Sequence, residues 1–426
     1  MAVPVEVHAA RSASWPPAAS GDRITVGGRK RTPLRYLVAV DRFFEDLPGG
    51  GYRVALDLAL CMRRAGHSVG MLCGSVDSDP PAGVQEYRGI HLVRYRIPRL
   101  ANHFPLSLVQ TASVMTDAVQ KFLAWQRWDV VHAHMPVSGL AAFRCIGPGI
   151  RRVYTVHSPA RAEAEANSGN VRRSSWLRRR IVLPALNRLE RATLRRADRI
   201  HALSAFTRGM VERLHGSELG SRVEVVPSWF SGQAGPSQAE ARAALHWPAG
   251  KPVVLSIRRL VPRMGLEVLL AAAERIAAEK DFTLVIGGEG ALRPELERKA
   301  SSGVLHGRVV FMGRISDREL DLAYRAASVF VLPTMALECF GLVLLEALGR
   351  GCPVIASRAG AIPEIMTQIL PEWLFEPGDA EGLAIALRRF LSVDSGMDGA
   401  RLEHFVENTY GLPVIWPAYE RLFGLR

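Results

Sequence analysis

Two glutamates flank a glycine in the segment PTMALECFGLVLLE. Glu338 comes just before a predicted helix, Gly341 opens that helix, and Glu346 lies about one and a half turns in. The amides of Gly341, Leu342 and Val343 have no hydrogen-bond acceptor within the helix, and they lie at the positive end of the helix dipole. A diphosphate would be held there, with Glu346 accepting hydrogen bonds from ribose hydroxyls and Glu338 facing a sugar. The alternative is that both glutamates are capping or surface residues, which an apolar helix fits poorly because an unpaired buried carboxylate is costly.

Three arginines follow the predicted strand at 252–257. Arg258, Arg259 and Arg263 would point into the same cleft, and guanidinium groups match the geometry of phosphate oxygens. These arginines are therefore predicted to bind phosphate, with a surface salt bridge as the alternative for any single one.

Two glycine-rich loops also follow predicted strands. Gly49, Gly50 and Gly51 precede a helix, and Gly287 and Gly288 lie in the segment VIGGEG. Glycine lets a backbone approach a bound group, and free amides at a helix start attract anions. Neither loop has the spacing of the dinucleotide fingerprint, so NAD binding is poorly supported.

Several histidines and aspartates at strand exits and in a loop are of residue types that can bind metal ions. His132 and His134 follow one predicted strand and His157 another. The first two lack a third zinc ligand nearby. Asp77 and Asp79 form a DxD, a motif that holds a divalent cation in other sugar-transfer enzymes, but turn residues surround it and indicate a solvated loop. We therefore predict no metal site.

Composition and charge limit the class of protein. The chain has 426 residues and a formal net charge of +13, so two domains and an affinity for polyanions are expected. No nucleic-acid module is recognised, and we predict no nucleic-acid partner. Much of the charge lies between Arg172 and Arg199, where arginines alternate with apolar residues. That segment is either a solvated helix face or a basic surface that rests on anionic lipid.

The cellular location follows from what the sequence lacks. Residues 1–30 are rich in Ala, Ser, Pro and Arg without apolar periodicity, which predicts a flexible tail. They have no apolar core typical of a secretory signal, and no later stretch reaches the roughly eighteen apolar residues of a membrane span. The cysteines form no CxxC pair. We expect a cytoplasmic protein, with a peripheral position at the inner membrane face as an option.

Strand and helix patterns alternate along the chain, which is typical of parallel sheets covered on both faces. Strands are predicted at 34–40, 68–73, 90–95, 130–132, 152–156, 200–203, 222–226, 252–257, 282–286, 309–312, 329–332 and 353–357. Helices are predicted at 52–65, 265–279, 341–350 and 416–422. The domains are predicted at 31–227 and 228–411 with a hinge at 227–236, and the final segment, 412–426, is expected to pack back on the first domain. The site should lie in a cleft beyond the carboxyl ends of the strands.

The order of these segments resembles the retaining glycosyltransferases of family 4, an α/β class with the GT-B fold of two Rossmann-like domains facing across a cleft. The likeness runs from Leu34 to the end. In the first half it includes GGGYRVALDLALCMRRAGHSV, DVVHAHMP, YTVHSP and ADRIHALSAFTR, and in the second SIRRLVPRMG, LVIGGEG, FMGRIS, VLPTMALECFGLVLLEAL and GCPVIASRAGAIPEI. The spacing of Glu338 and Glu346 fits the family's paired-glutamate motif.

The resemblance implies roles around the donor. Arg259 would hold the diphosphate and Glu346 the ribose. Glu338, with the amides at the start of its helix, would hold the sugar and phosphates, and His157 would touch the transferred sugar. The donor would be a UDP-, GDP- or other NDP-sugar, and neither a metal nor another cofactor would be needed, because arginine and helix amides neutralise the leaving diphosphate.

Further positions follow from the same resemblance. Gly50 and Gly51 would line the phosphate and acceptor side. The backbone of Gly313, Arg314 and Ile315 would meet the nucleotide base.

Two departures from the family's pattern stand out. Met264 lies where the family usually has a lysine that acts as second phosphate cation, and we expect Arg263 or Arg258 to supply that charge. The segment PSW at 227–229 replaces a common asparagine and glycine.

The function implied is transfer of a sugar, with retention of anomeric configuration, to a hydroxyl of a glycolipid, polysaccharide or natural product. Alternatives with the same fold are a nucleotide-sugar epimerase, a sugar phosphorylase, or a binding relative that no longer catalyses transfer. The presence of Arg259, Glu338 and Glu346 argues against the binding relative that no longer catalyses transfer.

Overall fold

The computed structural model describes residues 33–44, 49–75, 84–96, 116–120, 122–123, 126–166, 176, 178–232, 234–392 and 398–425. The predicted tail at 1–30, the pair Asp77 and Asp79, and Arg172 at the start of the basic segment lie outside these residues.

The first domain is built on an eight-stranded sheet with the order β3-β4-β2-β1-β5-β6-β7-β8, parallel except for the antiparallel pair β3–β4. Its strands are β1 (Arg35–Val40), β2 (Ser68–Ser75), β3 (Val84–Tyr87), β4 (Ile90–Arg96), β5 (Val130–Ala133), β6 (Arg151–Val156), β7 (Arg199–Ala202) and β8 (Val223–Val225). Its helices are α1 (Gly50–Arg64), α2 (Pro136–Cys145), α3 (Ala160–Ala166), α4 (Leu183–Arg196), α5 (Ala205–His215) and α6 (Ser217–Ser221).

The second domain is built on a six-stranded, fully parallel sheet with the order β11-β10-β9-β12-β13-β14. Its strands are β9 (Val253–Ile257), β10 (Thr283–Gly287), β11 (Val309–Gly313), β12 (Val329–Leu332), β13 (Val354–Ser357) and β14 (Leu374–Phe375). Helices of this half are α7 (Gln238–Ala244), α8 (Leu266–Ile276), α9 (Arg293–Ala300), α10 (Asp317–Ala326), α11 (Leu342–Leu348), α12 (Ile362–Met366), α13 (Ala380–Phe390), α14 (Gly399–Tyr410) and α15 (Leu412–Leu422).

Burial explains why these segments form central strands. Every residue of β12 and of β13 is buried, as expected for parallel strands covered by helices on both faces. The edge strands β3 and β14 were not predicted, because β3 alternates between exposed and half-buried residues and β14 has two residues.

Two predicted helix starts were wrong. Helix α1 begins at Gly50 rather than at residue 52, since the Arg53 amide already donates to the Gly49 carbonyl at 2.9 Å. The last helix begins at Leu412 and includes Pro413 in its first turn, a position where proline loses no helical hydrogen bond.

The chain passes between the two domains twice, at neighbouring points. Phe230 pairs with Gly411, and the Phe230 amide donates to the Tyr410 carbonyl at 2.8 Å. Helix α15 then lies on the first domain, where it buries Trp416 and Tyr419 in the core that contains Tyr36. The predicted hinge is therefore held beside the end of α14.

No helix within the described ranges has both the length and the hydropathy needed to cross a bilayer.

Candidate active site

The start of helix α11 has the geometry that anion binding requires. Gly341 adopts φ +93°, a left-handed conformation that favours glycine. The first helical hydrogen bonds are donated by Leu344 and Leu345 to the Gly341 carbonyl, at 3.0 and 3.1 Å. The amides of Gly341, Leu342 and Val343 therefore lie before the helical ladder, at the positive end of the dipole.

Glu346 lies half-buried on the same helix and has a partner within the second domain. Its Oε2 accepts a hydrogen bond from the Tyr324 hydroxyl at 3.1 Å. Burial raises the pKa of this carboxyl, while the nearby Arg350 and Arg53 guanidinium groups oppose the shift. Because Arg53 belongs to α1, charged residues of both domains contribute to the electrostatic potential at Glu346.

Glu338 is held by an arginine from the neighbouring strand exit. Arg258 Nη2 lies 2.5 Å from Glu338 Oε2, 3.1 Å from the Thr334 hydroxyl and 2.9 Å from the sulfur of Met264. The Arg258 and Glu338 side chains are only 6% and 15% exposed. A guanidinium therefore lies against Met264, where the family usually has its lysine.

Arg263 braces the loop that carries Glu338. Its Nη1 donates to the Leu337 carbonyl at 3.2 Å, and its own carbonyl accepts from the Met335 amide at 2.8 Å. Leu337 has φ +58°, an unfavourable conformation for leucine. The loop is thus strained and supported from the β9 side.

A carboxylate from the first domain also reaches these arginines. Glu163 Oε1 lies 3.1 Å from Arg263 Nη2 and 3.5 Å from Arg259 Nη2. Sequence reasoning missed Glu163, because nothing in its local pattern distinguishes it from Glu165, the other acidic residue of α3.

The second glycine-rich loop packs against the arginine loop. A Cβ on Gly288 would lie 1.9 Å from the Arg258 carbonyl oxygen, and the Gly288 amide donates to the Gly313 carbonyl at 2.7 Å. A Cβ on Gly287 would lie 2.2 Å from Ile315 Cδ1. These contacts explain the glycines without a ligand, and they bring the predicted base-binding segment beside the arginine loop.

Arg314 is exposed, and Ile315 is half-buried. Arg314 is therefore open to solvent at this edge of the site.

The first domain brings its glycine loop against the start of α11. A Cβ on Gly50 would lie 3.3 Å from Leu342 Cδ1, and a Cβ on Gly51 would lie 3.0 Å from the ring of His157. These contacts bring the glycine turn, His157 and the helix start into one cleft.

His157 is paired with another histidine. Its Nε2 lies 2.9 Å from Nδ1 of His134, and the two rings stack with centroids 5.1 Å apart. Burial lowers the pKa of His157 to about 3, so it is neutral at physiological pH. His132 instead contacts Tyr36 and Thr155 inside the core, at 2.5 and 2.6 Å.

Within the residues that the structure describes, no group of three or more His, Cys, Asp or Glu side chains is arranged to hold a metal ion.

A second contact between the domains fixes the segment next to Glu338. Glu364 accepts hydrogen bonds from the amides of Ala205 and Phe206, at 2.9 and 2.6 Å, and so caps α5. The Ser204 hydroxyl donates to the Cys339 carbonyl at 2.6 Å. Sequence reasoning missed Glu364, although it lies in the quoted segment GCPVIASRAGAIPEI.

Comparison with known proteins assigns both halves of the chain. Residues 48–230 match the family model described as Glycosyltransferase Family 4, and residues 237–411 match the one described as Glycosyl transferases group 1. A D-inositol 3-phosphate glycosyltransferase of Xylanimonas cellulosilytica is 30% identical over 395 residues, 85% of this chain and 89% of that one. The chain belongs to the family 4 glycosyltransferases.

The glycosyltransferase is also 27% identical to a phosphatidyl-myo-inositol mannosyltransferase of Mycolicibacterium smegmatis, over 82% of this chain and 83% of the relative. Its structure matches sucrose-phosphate synthase from Thermosynechococcus elongatus with a TM-score of 0.78 and 25% identity, covering 92% and 100% of the two chains. It matches the Anabaena protein HepE, solved with UDP-glucose, with a TM-score of 0.70 and 18% identity, covering 92% and 100%. The expected GT-B fold is confirmed.

These relatives make the glycosyltransferase an enzyme of the hexosyltransferase type. Nothing in them supports the epimerase, the phosphorylase or the inactive binding protein.

Proposed function

We propose that this enzyme transfers a hexosyl group from a nucleoside-diphosphate sugar to a hydroxyl acceptor, with retention of anomeric configuration and without a metal ion. The observation that carries the proposal is that hydrogen-bond donors and two carboxylates lie around one cleft. Helix α11 begins with free amides and carries Glu346, and Arg258 and Arg263 hold the loop that contains Glu338.

The donor would lie across the start of α11. Its diphosphate would take hydrogen bonds from the amides of Gly341 to Val343 and from Arg259. Glu346 would accept hydrogen bonds from the ribose, and the base would meet the loop at Gly313, Arg314 and Ile315. Two similar proteins support this chemistry by their descriptions: HepE was solved in complex with UDP-glucose, and one relative is a phosphatidyl-myo-inositol mannosyltransferase.

The reaction would proceed on one face of the sugar. The bond from the anomeric carbon to the diphosphate oxygen breaks, and its electron pair leaves with the nucleoside diphosphate. The acceptor oxygen bonds to the same face of that carbon, and its proton passes to a phosphate oxygen. Preset donors at α11 and Arg259 stabilise the developing charge. Glu338 is in an ion pair with Arg258, which suits positioning of the sugar better than covalent attack.

The product anomer tests this mechanism. Purified enzyme is screened by thermal shift against UDP-, GDP-, ADP- and dTDP-sugars, since a true donor raises the melting temperature by mass action. The stabilising donor is then incubated with candidate acceptors, with and without EDTA, and the product is followed by NMR. We expect an α product from an α donor and equal rates with EDTA. A β product from an α donor would refute retention, and loss of activity in EDTA would refute metal independence.

The acceptor is proposed to be lipid-linked, on the basis of one surface. Trp176 is 68% exposed and Ile181 46% exposed. They precede exposed arginines on α4 at 188, 191, 195 and 196. The acidic residue of that helix, Glu190, is buried and paired with His215 at 3.1 Å. An exposed tryptophan followed by a helix with an exposed cationic face is typical of a segment that binds an anionic membrane surface.

Vesicle sedimentation tests this surface. We expect the enzyme to bind vesicles of phosphatidylglycerol but not of phosphatidylcholine, and the double charge reversal Arg188→Glu with Arg191→Glu to abolish binding. The matched control reverses two exposed arginines of α5, Arg208→Glu with Arg213→Glu. Equal loss in both double variants would show that only net charge matters and would refute the surface.

A further inference from the structure

Glu163 is the acidic side chain that the first domain places in the donor site. Its carboxylate bridges two guanidinium groups of the second domain, 3.1 Å from Arg263 Nη2 and 3.5 Å from Arg259 Nη2. The Glu163 side chain is 33% exposed, and that of Arg263 is 9% exposed. The contact is therefore partly shielded from water.

The helix that carries Glu163 is itself held in place. The Ala160 amide at its start donates to Glu190 Oε2 at 3.0 Å, and Glu190 is buried between Tyr154 and His215. The Glu163 amide donates to the Pro159 carbonyl at 3.0 Å. Glu163 thus projects from a fixed base rather than from a free loop.

Of the two arginines, Arg263 is the buried one, with 9% of its side chain exposed against 52% for Arg259. Burial lowers the pKa of Arg263, Arg259 lowers it further, and Glu163 opposes both effects. Arg263 must also keep its hydrogen bond to the Leu337 carbonyl beside Glu338. Glu163 supplies the larger opposing negative charge at Arg263, ahead of Glu338.

A carboxylate oxygen that contacts two guanidinium groups lies where a phosphate oxygen would be bound. We propose that Glu163 competes with phosphate groups for Arg259 and Arg263 and so weakens the binding of phosphate-bearing ligands in the donor site. This inference rests on the proposed function, because it requires that the donor diphosphate be held by the same arginines.

Competition follows from the charges. A phosphate group that contacts Arg259 and Arg263 must displace the Glu163 carboxylate or share both guanidinium groups with it. The free energy of that displacement is subtracted from the affinity of every phosphate-bearing ligand, so Glu163 weakens the binding of diphosphates, monophosphates and inorganic phosphate alike.

Calorimetric binding to matched nucleotides tests the proposal. UDP, GDP, ADP and dTDP are titrated into the wild-type enzyme, and the tightest of them is compared with its monophosphate and with inorganic phosphate. For Glu163→Gln we expect the diphosphate, the monophosphate and inorganic phosphate each to bind about three times more tightly than they bind the wild type. Glu165→Gln is the control, since Glu165 lies on the same helix and pairs with Arg161 at 3.0 Å on the surface.

The outcomes separate the two proposals. Unchanged or weaker affinities in Glu163→Gln, or an equal gain in Glu165→Gln, would overturn the role of Glu163 while leaving the donor site intact. Failure of every diphosphate to bind either protein would instead defeat the proposed function, and the inference with it. A thermal melt of Glu163→Gln close to that of the wild type shows that any change in affinity is not caused by misfolding.

Discussion

Replacing Arg258 with methionine should damage both stability and catalysis, because this residue is the near-buried partner of Glu338. Arg258→Met keeps the apolar bulk next to Met264 and removes the guanidinium that lies 2.5 Å from Glu338 and 3.1 Å from the Thr334 hydroxyl. The Glu338 carboxylate then remains in a site that is nearly closed to solvent. The Thr334 hydroxyl, 3.4 Å from Glu338 Oε2, is the nearby hydrogen-bond donor that remains.

The size of the effect follows from burial. Removing one partner of a buried ion pair costs about 3–5 kcal/mol, because the other charge is left uncompensated. Glu338 is 15% exposed, so we expect the lower end, about 3 kcal/mol. For a domain of this size each kcal/mol lowers the melting temperature by roughly 2–4 °C, which predicts a loss of roughly 6–12 °C. A displaced Glu338 should also lower kcat/KM about 100-fold, as misplacement by about 1 Å does elsewhere.

The assay combines thermal melting with donor turnover. Arg275→Met is the control, because Arg275 pairs with Glu381 at 3.1 Å on the exposed surface and should cost less than about 1 kcal/mol. The double variant Arg258→Met with Glu338→Gln should recover most of the stability and none of the activity.

Adding a lysine tests whether Arg258 compensates for Met264. In the Arg258→Met background, Met264→Lys should restore part of both stability and turnover, since it returns a cation to the same place. In the wild-type background it should destabilise, because it puts a second cation beside Arg258. The reasoning would be refuted if Arg258→Met melted within 2 °C of the wild type, on the scale of about 1 kcal/mol, and kept its turnover.

Three further outcomes follow from single sites. Glu346→Gln should raise the donor KM about tenfold by weakening the ribose contact, which donor kinetics check. The same change should not lower the free energy of unfolding at pH 8, because burial raises the pKa of Glu346 and disfavours its charged form. Urea unfolding checks this second outcome. Burial lowers the pKa of His201 from 6.5 to about 4, so the unfolded chain binds more protons between those pH values. Stability should therefore fall on acidification from pH 6.5, by up to about 1.4 kcal/mol per pH unit for this residue, and His201→Gln should flatten the slope in urea unfolding at pH 7 and pH 5. Gly288→Ala, whose Cβ would lie 1.9 Å from the Arg258 carbonyl oxygen at φ +117°, should cost about 3 kcal/mol or more by overpacking and strain, whereas Gly250→Ala, with nothing within 4 Å, should cost less than about 1.

Local pattern was enough to predict most strands. Residues 329–332 were predicted and found as β12 with the same bounds, because a four-residue apolar run is too short for a helix and is consistent with a buried parallel strand. The glutamate pair around Gly341 was also visible, since helix spacing and a left-handed glycine both depend on near neighbours. The start of α1 was missed, because glycines in a first turn look the same as glycines in the loop before it.

Contacts between distant segments were not predictable in the same way. Arg258 and Glu338 are 80 residues apart and meet because β9 and β12 are neighbours in the sheet, so the loops after them share one edge. Sequence reasoning expected Arg258 or Arg263 to replace a phosphate cation. In the structure, Arg258 forms an ion pair with Glu338. Arg263 donates a hydrogen bond to the Leu337 carbonyl and also lies near the cleft.

The sequence by itself determined the alternation of strands and helices and the residue types at the strand exits, because these depend on periodicity and on turn chemistry within a few residues. Tertiary structure alone decided which charges meet. Glu163 and Arg263 are 100 residues apart on different domains, and only the packing of one domain against the other brings that carboxylate to the arginines. Electrostatic pairing acts over a few ångströms in space, and distance along the chain does not reveal it.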